Sequence, residues 1–174
     1  RIDDLGRVVV PKEIRRTLRI REGDPMEIFT NRDGEVILKK YSPIGEIDAF
    51  AKQYAESLAA VSGCYVVISD RDQVIAVSGG VKKEYIGRRI SHELEEIMEQ
   101  RRTVNTDTDN VKTITIIDGQ DVSDMGQIIF PIICEGDVIG SVVLMSKTEK
   151  QQVSDTEKKL VSVAADFLGR QMES

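Results

Sequence analysis

The apolar and polar positions of the first forty residues predict one short helix that is preceded and followed by strands. Residues 7–10 are Arg7 followed by three valines, and such a run of β-branched residues is typical of a short strand. Pro11 follows, and proline is favoured at the first position of a helix. Ile14 and Leu18 lie four residues apart, so they share one helical face. We expect this helix to end at Gly23, because glycine tolerates the positive φ of a helix terminus.

Two alternating runs, residues 26–30 and 35–41, predict a β-hairpin, since the residues between them end in Asp-Gly. About forty residues with so little secondary structure cannot bury a sufficient core alone. We therefore expect a homodimer in which strands of two chains complete a shared core. The strands carry apolar side chains on both faces, with Met26 and Ile28 on one and Phe29 and Ile37 on the other.

Two further helices are predicted in the remaining residues, over 42–61 and 154–172. Ser42 and Pro43 are suited to the start of the first helix. The second opens with a capping box, in which Ser154 and Glu157 satisfy each other's backbone N–H groups. Its apolar stripe is wide enough to cover a sheet on one side and to join a helix bundle on the other, so these two helices are expected to pair within or between subunits. The first helix has a narrow heptad seam, formed by Ile44, Ile47, Ala51, Tyr54, Leu58 and Val61.

The residues between these helices predict a sheet. The strand-like runs are residues 64–70, 73–79, 113–117, 127–134 and 138–147. A helix capped by Ser91 interrupts them, with Leu94, Ile97 and Met98 on one face. Strands with helices grouped on one side describe an α+β domain.

Charge separates along the chain. The 174 residues carry a net charge of −6, but residues 1–40 carry +2 and the rest −8. A basic cluster on an acidic protein indicates a surface for a polyanion. No run approaches the ~20 apolar residues of a membrane helix, so no membrane partner is expected. The chain opens on Arg1 without a signal-peptide pattern, and we expect it to lack its first residues rather than to be an export product.

Few residues suit catalysis or metal binding. Cys64 and Cys134 lie in apolar runs and are expected to be buried thiols of a reducing cytoplasm, although a disulfide or metal role stays open. His92 is the one histidine, beside a predicted helix start, and we expect it at the surface. No nucleophile elbow, phosphate-binding glycine loop or paired-cysteine motif occurs. We expect no catalytic residue, no cofactor and no metal, which argues against an enzyme.

Residues 1–40 resemble the DNA-binding domain of the AbrB family of bacterial transition-state regulators, through the frame D-x-LGRVV-x-P-x-E-x-RR-x-L. The resemblance implies a swapped-hairpin dimer that binds double-stranded DNA. By position, Arg7, Arg15 and Arg16 match the DNA-contacting arginines of the family, and Arg1 matches a basic position that ends its first strand. The family pattern starts several residues earlier with another arginine, so this DNA surface is expected to be incomplete.

Arginine suits that role on physical grounds, because its planar fork of donors fits phosphates and guanine edges. A dimer doubles four arginines to eight, comparable to proteins that make about 6–10 phosphate contacts. Asp3 and Asp4 would be poorly placed against phosphate. We expect them to orient arginines or to shape the loop.

Residues 42–174 resemble a GAF domain, a small-molecule sensor, through their order of elements and the run FPIICEGDVIGSVVLMSK. The resemblance implies a pocket between the sheet and residues 80–126, but we assign no ligand and no ligand-binding residue. Phe130 and Met98 are candidates for that pocket, and core packing is the alternative for both.

The two resemblances together imply a homodimeric or homotetrameric transcription factor with a DNA-binding domain at 1–41 and a sensor and oligomerisation domain at 42–174. Two alternatives remain. An antitoxin shares this type of DNA-binding head, but has a short toxin-wrapping tail. A metabolite-binding or enzymatic GAF protein with an incidental basic head would show no salt-sensitive DNA binding.

Overall fold

The computed structural model describes residues 2–41, 48–120, 124–149 and 151–173. The chain divides into two compact units, Arg1–Tyr41 (unit 1) and Ser42–Ser174 (unit 2). Within the described ranges, no helix combines the length and the apolar character needed to span a bilayer.

Unit 1 contains a helix and a hairpin: α1 (Lys12–Thr17), β1 (Met26–Thr30) and β2 (Val36–Lys40). The strands are antiparallel and pair Phe29 with Ile37 and Ile28 with Leu38, so the predicted hairpin is confirmed. The Asn31 side chain closes the turn, because its Oδ1 accepts the backbone N–H groups of Asp33 (3.1 Å) and Glu35 (2.9 Å).

Two local predictions for unit 1 were wrong. The helix ends at Thr17 instead of continuing to Gly23, and Arg19 takes the left-handed position beyond it, with φ 51°. The Ile20 N–H bonds to the Arg15 carbonyl at 2.8 Å, which is the closing bond of a Schellman motif. Residues 7–10 form no strand, since Val8 makes only an isolated bridge to Ile2.

Unit 2 is built on a five-stranded antiparallel sheet. The strands are β3 (Tyr65–Asp70), β4 (Val74–Ser78), β5 (Val104–Asn105), β6 (Gln127–Cys134) and β7 (Asp137–Met145). Their order in the sheet is β4-β3-β7-β6-β5. Four of the five predicted strands are present, as β3, β4, β6 and β7. The helices are α2 (Asp48–Ser62), α3 (His92–Glu99), α4 (Thr106–Asp109) and α5 (Asp155–Arg170).

The helices α2 and α5 cover one face of this sheet. Ala51 and Leu58 of α2 and Leu168 of α5 are buried there in one hydrophobic core. Gly169 brings α5 very close to β6, because a Cβ at this position would lie 2.1 Å from the Ile133 carbonyl oxygen. One side of α5 thus covers the sheet, as predicted. The seam positions Ile44 and Ile47, with the predicted helix start at Ser42 and Pro43, lie outside the described residues.

The opposite face of the sheet is covered by α3 and the segments around it. The sequence pattern predicted helices on one side only, so this prediction was wrong. Leu94, Ile97 and Met98 are buried there in a second core. The Ser91 side chain accepts the Leu94 N–H at 3.1 Å and confirms the predicted cap. Met98 belongs to this core, whereas Phe130 packs against the core on the α2 and α5 face.

The prediction of a strand at residues 113–117 was wrong, because only an isolated bridge from Ile117 to Ile90 forms there. A side chain, rather than a neighbouring strand, makes hydrogen bonds to the backbone of this segment. The Gln127 amide accepts the Ile114 N–H at 2.8 Å and donates to the Ile114 carbonyl at 3.0 Å. The apolar alternation of this segment therefore reflects burial without strand pairing.

The two cysteines and the single histidine of the chain all lie in unit 2. Cys64 is buried, Cys134 is half-buried, and both thiols are free. Burial raises the pKa of each thiol above its ordinary value. The His92 side chain is exposed at the start of α3, beside Glu95 and Glu96. Among the described residues, no group of three His, Cys, Asp or Glu side chains could hold a metal ion.

Candidate nucleic-acid interface

Arg7 lies on a tight turn that precedes α1. The turn begins and ends at the bridge between Ile2 and Val8. Within it, the Gly6 N–H bonds to the Asp3 carbonyl at 3.0 Å and the Asp3 N–H bonds to the Arg7 carbonyl at 3.2 Å. Gly6 has φ 75°, the left-handed conformation that favours glycine. The LGR part of the sequence motif therefore builds a turn with Arg7 near its end.

Asp3 holds Arg7 in place. Its carboxylate accepts the Arg7 backbone N–H at 2.7 Å and the guanidinium Nε–H at 2.8 Å, while the arginine side chain remains 71% exposed. The backbone bond from Arg7, followed by the side-chain bond, holds the pKa of Asp3 below its ordinary value. Asp3 therefore orients an arginine, as expected, and the side chain of that arginine remains largely exposed to solvent.

Arg15 and Arg16 lie in the last turn of α1, and both are exposed. Arg15 and Arg16 lie at the end of the helix where its dipole favours cations, and Glu13 lies in the first turn, where the dipole favours an acid. Pro11 stands at the N-cap, one position before the predicted one, and its carbonyl accepts the Arg15 N–H at 3.0 Å. These two arginines and Arg7 therefore lie on segments of unit 1 that follow one another along the chain, the turn and α1.

The fourth predicted arginine, Arg1, lies outside the described residues. Lys12, on α1, is exposed, and Arg19, directly after the C-cap of the helix, is half-buried. The cationic positions of unit 1 thus extend along the whole length of α1 and into the turn on either side.

A lysine and an aspartate that sequence reasoning missed attach the end of α1 to the hairpin. Lys40 Nζ lies 3.1 Å from Asp24 Oδ2 and donates to the Arg19 carbonyl at 3.0 Å. The same Asp24 oxygen accepts the Arg21 N–H at 2.8 Å. The Asp24 side chain is only 2% exposed, so a buried ion pair fixes the backbone that follows the two arginines of the helix. Sixteen positions separate the pair, and no local spacing signals it.

Unit 1 has open apolar faces. None of its described residues, 2–41, is buried as a whole, although apolar residues recur along α1 and both strands. Ile28 is 68% exposed, and its neighbours on both faces of the hairpin are open as well. The exposed apolar residues of α1, its C-cap and the hairpin are Ile14, Leu18, Ile28, Phe29, Val36, Ile37 and Leu38.

Comparison with protein families gives two matches. Residues 46–173 match the family described as stage V sporulation protein T C-terminal, transcription factor. Residues 1–46 match the family described as antidote-toxin recognition MazE, bacterial antitoxin.

Two curated relatives come from Bacillus subtilis (strain 168). Stage V sporulation protein T is 55% identical over 173 residues, which cover 99% of this chain and 95% of that protein. Transition state regulatory protein AbrB is 56% identical over 43 residues, which cover 25% of this chain and 44% of that protein. The AbrB likeness thus concerns the DNA-binding part alone.

Among solved structures, the second GAF domain of DevS from Mycobacterium smegmatis matches with a TM-score of 0.57 at 12% identity, over 72% of this chain and 92% of that one. A likeness at this identity establishes a GAF-like fold and nothing more. An AbrB-like DNA-binding domain is therefore followed by a GAF-like domain. With the match over nearly its whole length, the chain belongs to the family of stage V sporulation protein T, a transcription factor.

Proposed function

We propose that this chain regulates sporulation genes by binding duplex DNA through Arg7, Arg15 and Arg16 of unit 1, together with Arg1. The observation that carries the proposal is that Arg7, Arg15 and Arg16 are all exposed on unit 1, although the whole chain carries a net charge of −6. Counterion release makes binding through such contacts steeply dependent on salt. The 56% identity of this segment to AbrB supports the same role.

Binding of a duplex of about 60 base pairs over a salt series tests this proposal. We expect Arg7→Ala, Arg15→Ala and Arg16→Ala each to weaken binding and to reduce the slope of log K against log salt by about 0.9 for each phosphate that is no longer neutralised. Arg102→Ala is the matched control, because it removes one exposed charge from unit 2. Wild-type affinity in all three unit 1 variants would refute the proposal and favour a GAF protein with an incidental basic head.

Unit 1 supports the proposal of a homodimer. Its apolar residues are exposed on α1 and on both faces of the hairpin, and a second copy of the hairpin offers matching apolar faces. Phe29→Asp should disrupt such a core, because a charge cannot be buried there without a partner. Sedimentation of the full chain should then show fewer subunits per particle. Unchanged sedimentation would argue against a shared hairpin core.

The outer side of α2 and α5 supports a homotetramer. The Tyr54 and Phe167 rings stack with their centroids 5.1 Å apart, which joins the two helices within one chain. Val163 and Phe50 remain exposed on these helices, as does Val61 at the end of α2. We expect Val163→Asp to convert tetramers into dimers, with Ser162→Asp as the control at the neighbouring exposed position. The same assembly state for both variants would rule out Val163 as part of this interface.

The GAF-like fold supports a small-molecule ligand of unknown class. The face between the sheet and α3 is packed with aliphatic side chains, among them Leu94, Ile97 and Ile129. A ligand that entered there would have to displace part of this core, so ligand binding and repacking would be one event. The free thiols of Cys64 and Cys134 support a cytoplasmic location.

A further inference from the structure

A second cluster of cations lies in unit 2, far along the chain from the arginines of unit 1. Residues 41–174 carry a net charge of −8, yet residues 82–89 hold four cations and one acid. All four cations are exposed. Such a local excess of positive charge is unlike the rest of the unit, which would repel nucleic acid. The cations are Lys82, Lys83, Arg88 and Arg89.

The backbone of this segment is fixed against the edge of the sheet. The Gly87 N–H bonds to the Val74 carbonyl at 2.8 Å, and the Val74 N–H bonds to the Arg88 carbonyl at 2.9 Å. A 3-10 turn, Lys83–Tyr85, lies between these bonds and the preceding glycines. At Gly79 the chain passes so close to β3 that a Cβ would lie 2.1 Å from the Cys64 carbonyl oxygen. The cations therefore project from an ordered turn, which lowers the entropy that binding would cost.

The side chains of the turn leave positive charge available to a partner. The Arg88 guanidinium lies over the Tyr85 ring, 5.7 Å from its centroid, and Tyr85 packs against the core beneath α3. This stacking orients Arg88 without neutralising it. Lys82 lies 3.7 Å from Glu84, but both side chains are about 70% exposed, 71% and 68%, and an ion pair in solvent contributes little. Arg89 has other interactions within the chain, so its substitution would not test positive charge alone.

We propose that the turn at residues 82–89 is a second DNA-contacting surface, which binds phosphates of the duplex that unit 1 holds. This inference rests on the proposed function. Phosphate is the ligand favoured by several exposed cations on a fixed backbone, since each contact releases condensed counterions. Tethering raises the effective concentration of DNA at unit 2 once unit 1 is bound, so even weak contacts there add affinity.

The test uses the full chain and a duplex of about 60 base pairs, with affinity measured by fluorescence anisotropy over a salt series. The variant Lys82→Ala/Lys83→Ala/Arg88→Ala removes three of the cations. The control Arg102→Ala/Lys112→Ala/Lys158→Ala removes three exposed cations dispersed over the same unit, so both proteins have the same net charge. We expect the affinity of the first variant to fall about tenfold or more, with a salt slope lower by about 0.9 for each phosphate released, and that of the control to fall much less.

Equal affinities and salt slopes for the two triple variants would overturn the proposal. Poly-L-glutamate serves as a probe for an acidic protein partner. If the first variant keeps its DNA affinity but no longer binds poly-L-glutamate, the turn binds an acidic protein and the proposal is overturned as well. If thermal unfolding shows that the alanine variant is misfolded, Lys82→Glu/Lys83→Glu replaces it, and an unchanged DNA affinity of that protein counts equally against the surface.

A further variant, Arg15→Ala/Arg16→Ala, separates this inference from the proposed function. If this variant loses DNA binding and the unit 2 variant binds like wild type, the proposed surface at residues 82–89 is refuted and the proposed role of unit 1 is supported. The reverse result would refute the proposed role of unit 1 and, with it, the inference that residues 82–89 bind a duplex held by unit 1.

Discussion

Asp3 accepts two hydrogen bonds from Arg7, one from the backbone N–H at 2.7 Å and one from the guanidinium Nε–H at 2.8 Å. One carboxylate thus stabilises the turn and orients the arginine that the turn presents. Both bonds favour the ionised form of the carboxyl group, and they hold the pKa of Asp3 below its ordinary value.

Arg7→Ala should raise the pKa of Asp3, but only part of the way to its ordinary value. The substitution removes the guanidinium, whereas the backbone N–H bond, the larger cause of the shift, remains. Because the folded-state pKa of Asp3 is lowered, its contribution to stability is present above the unfolded pKa and is lost as the pH falls through the folded one. Carbon NMR of the Asp3 carboxyl group during a pH titration measures the shift. Identical titration curves for wild type and Arg7→Ala would contradict the prediction.

The capping box of α5 should be measurable in stability. Ser154 Oγ accepts the Thr156 N–H at 3.2 Å, and Glu157 accepts the Ser154 N–H at 2.9 Å. We expect Ser154→Ala to lower the free energy of unfolding by about 0.5–2 kcal/mol in urea titrations at neutral pH. Ser162→Ala, on the exposed side of the same helix, should stay within about 0.5 kcal/mol of wild type. A decrease no larger than that of this control would speak against the cap.

The same cap has a pH dependence. The Ser154 side chain, followed by its backbone N–H, holds the pKa of Glu157 below its ordinary value, although burial opposes this. The stabilisation is therefore complete above the unfolded pKa of Glu157 and declines as the pH falls through the lower folded value. Repeating the urea titrations at about pH 3 should show a smaller difference between wild type and Ser154→Ala than at neutral pH. A difference that grows on acidification would have the wrong sign.

Asp107 connects α4 to the segment that leads into α5. Its Oδ2 accepts the N–H of Val153 at 2.6 Å, and Val153 is buried. Asp107→Ala leaves that N–H without its acceptor, which typically costs about 1–3 kcal/mol. Thermal unfolding should show a lower midpoint than for Asp118→Ala, which removes one exposed carboxylate elsewhere in unit 2. Equal midpoints for the two variants would mean that the hydrogen bond to Val153 contributes nothing.

The close packing of α5 on β6 depends on Gly169. A Cβ at this position would lie 2.1 Å from the Ile133 carbonyl oxygen, so Gly169→Ala must push the helix away from the strand. Overpacking of this kind costs about 1–3 kcal/mol. The helix propensity of alanine should recover about 1 kcal/mol at most. We expect a net decrease in stability in urea titrations, and a stabilised variant would show that the helix shifts freely.

The elements predicted correctly from sequence are those whose signals are local. The hairpin of unit 1 depends on Asn31 and on the glycine three residues later, all within the turn itself. The helices α3 and α5 are preceded by the N-cap residues Ser91 and Ser154, whose side chains accept backbone N–H groups within the following three residues. Such contacts can be read from spacing because they involve almost no distant part of the chain.

The predictions were wrong where side chains distant in sequence make the hydrogen bonds of backbone N–H and carbonyl groups. Residues 113–117 have the alternation of a strand, but Gln127 bonds to both backbone groups of Ile114, so no neighbouring strand is required. The end of α1 was also misjudged. Arg19, rather than Gly23, adopts the left-handed conformation after the C-cap of the helix, and its carbonyl accepts a hydrogen bond from Lys40 at the far end of the hairpin.

The candidate interface residues can be identified from the amino-acid sequence alone, because Arg7, Arg15 and Arg16 lie within one continuous motif of unit 1. How their side chains are presented follows from contacts that only the folded chain makes. The turn around Arg7 depends on hydrogen bonds to Asp3, and the backbone after α1 is held by the buried pair of Asp24 and Lys40. The physical reason is that residue type and charge are properties of each position, whereas orientation comes from contacts between positions that chain spacing does not relate.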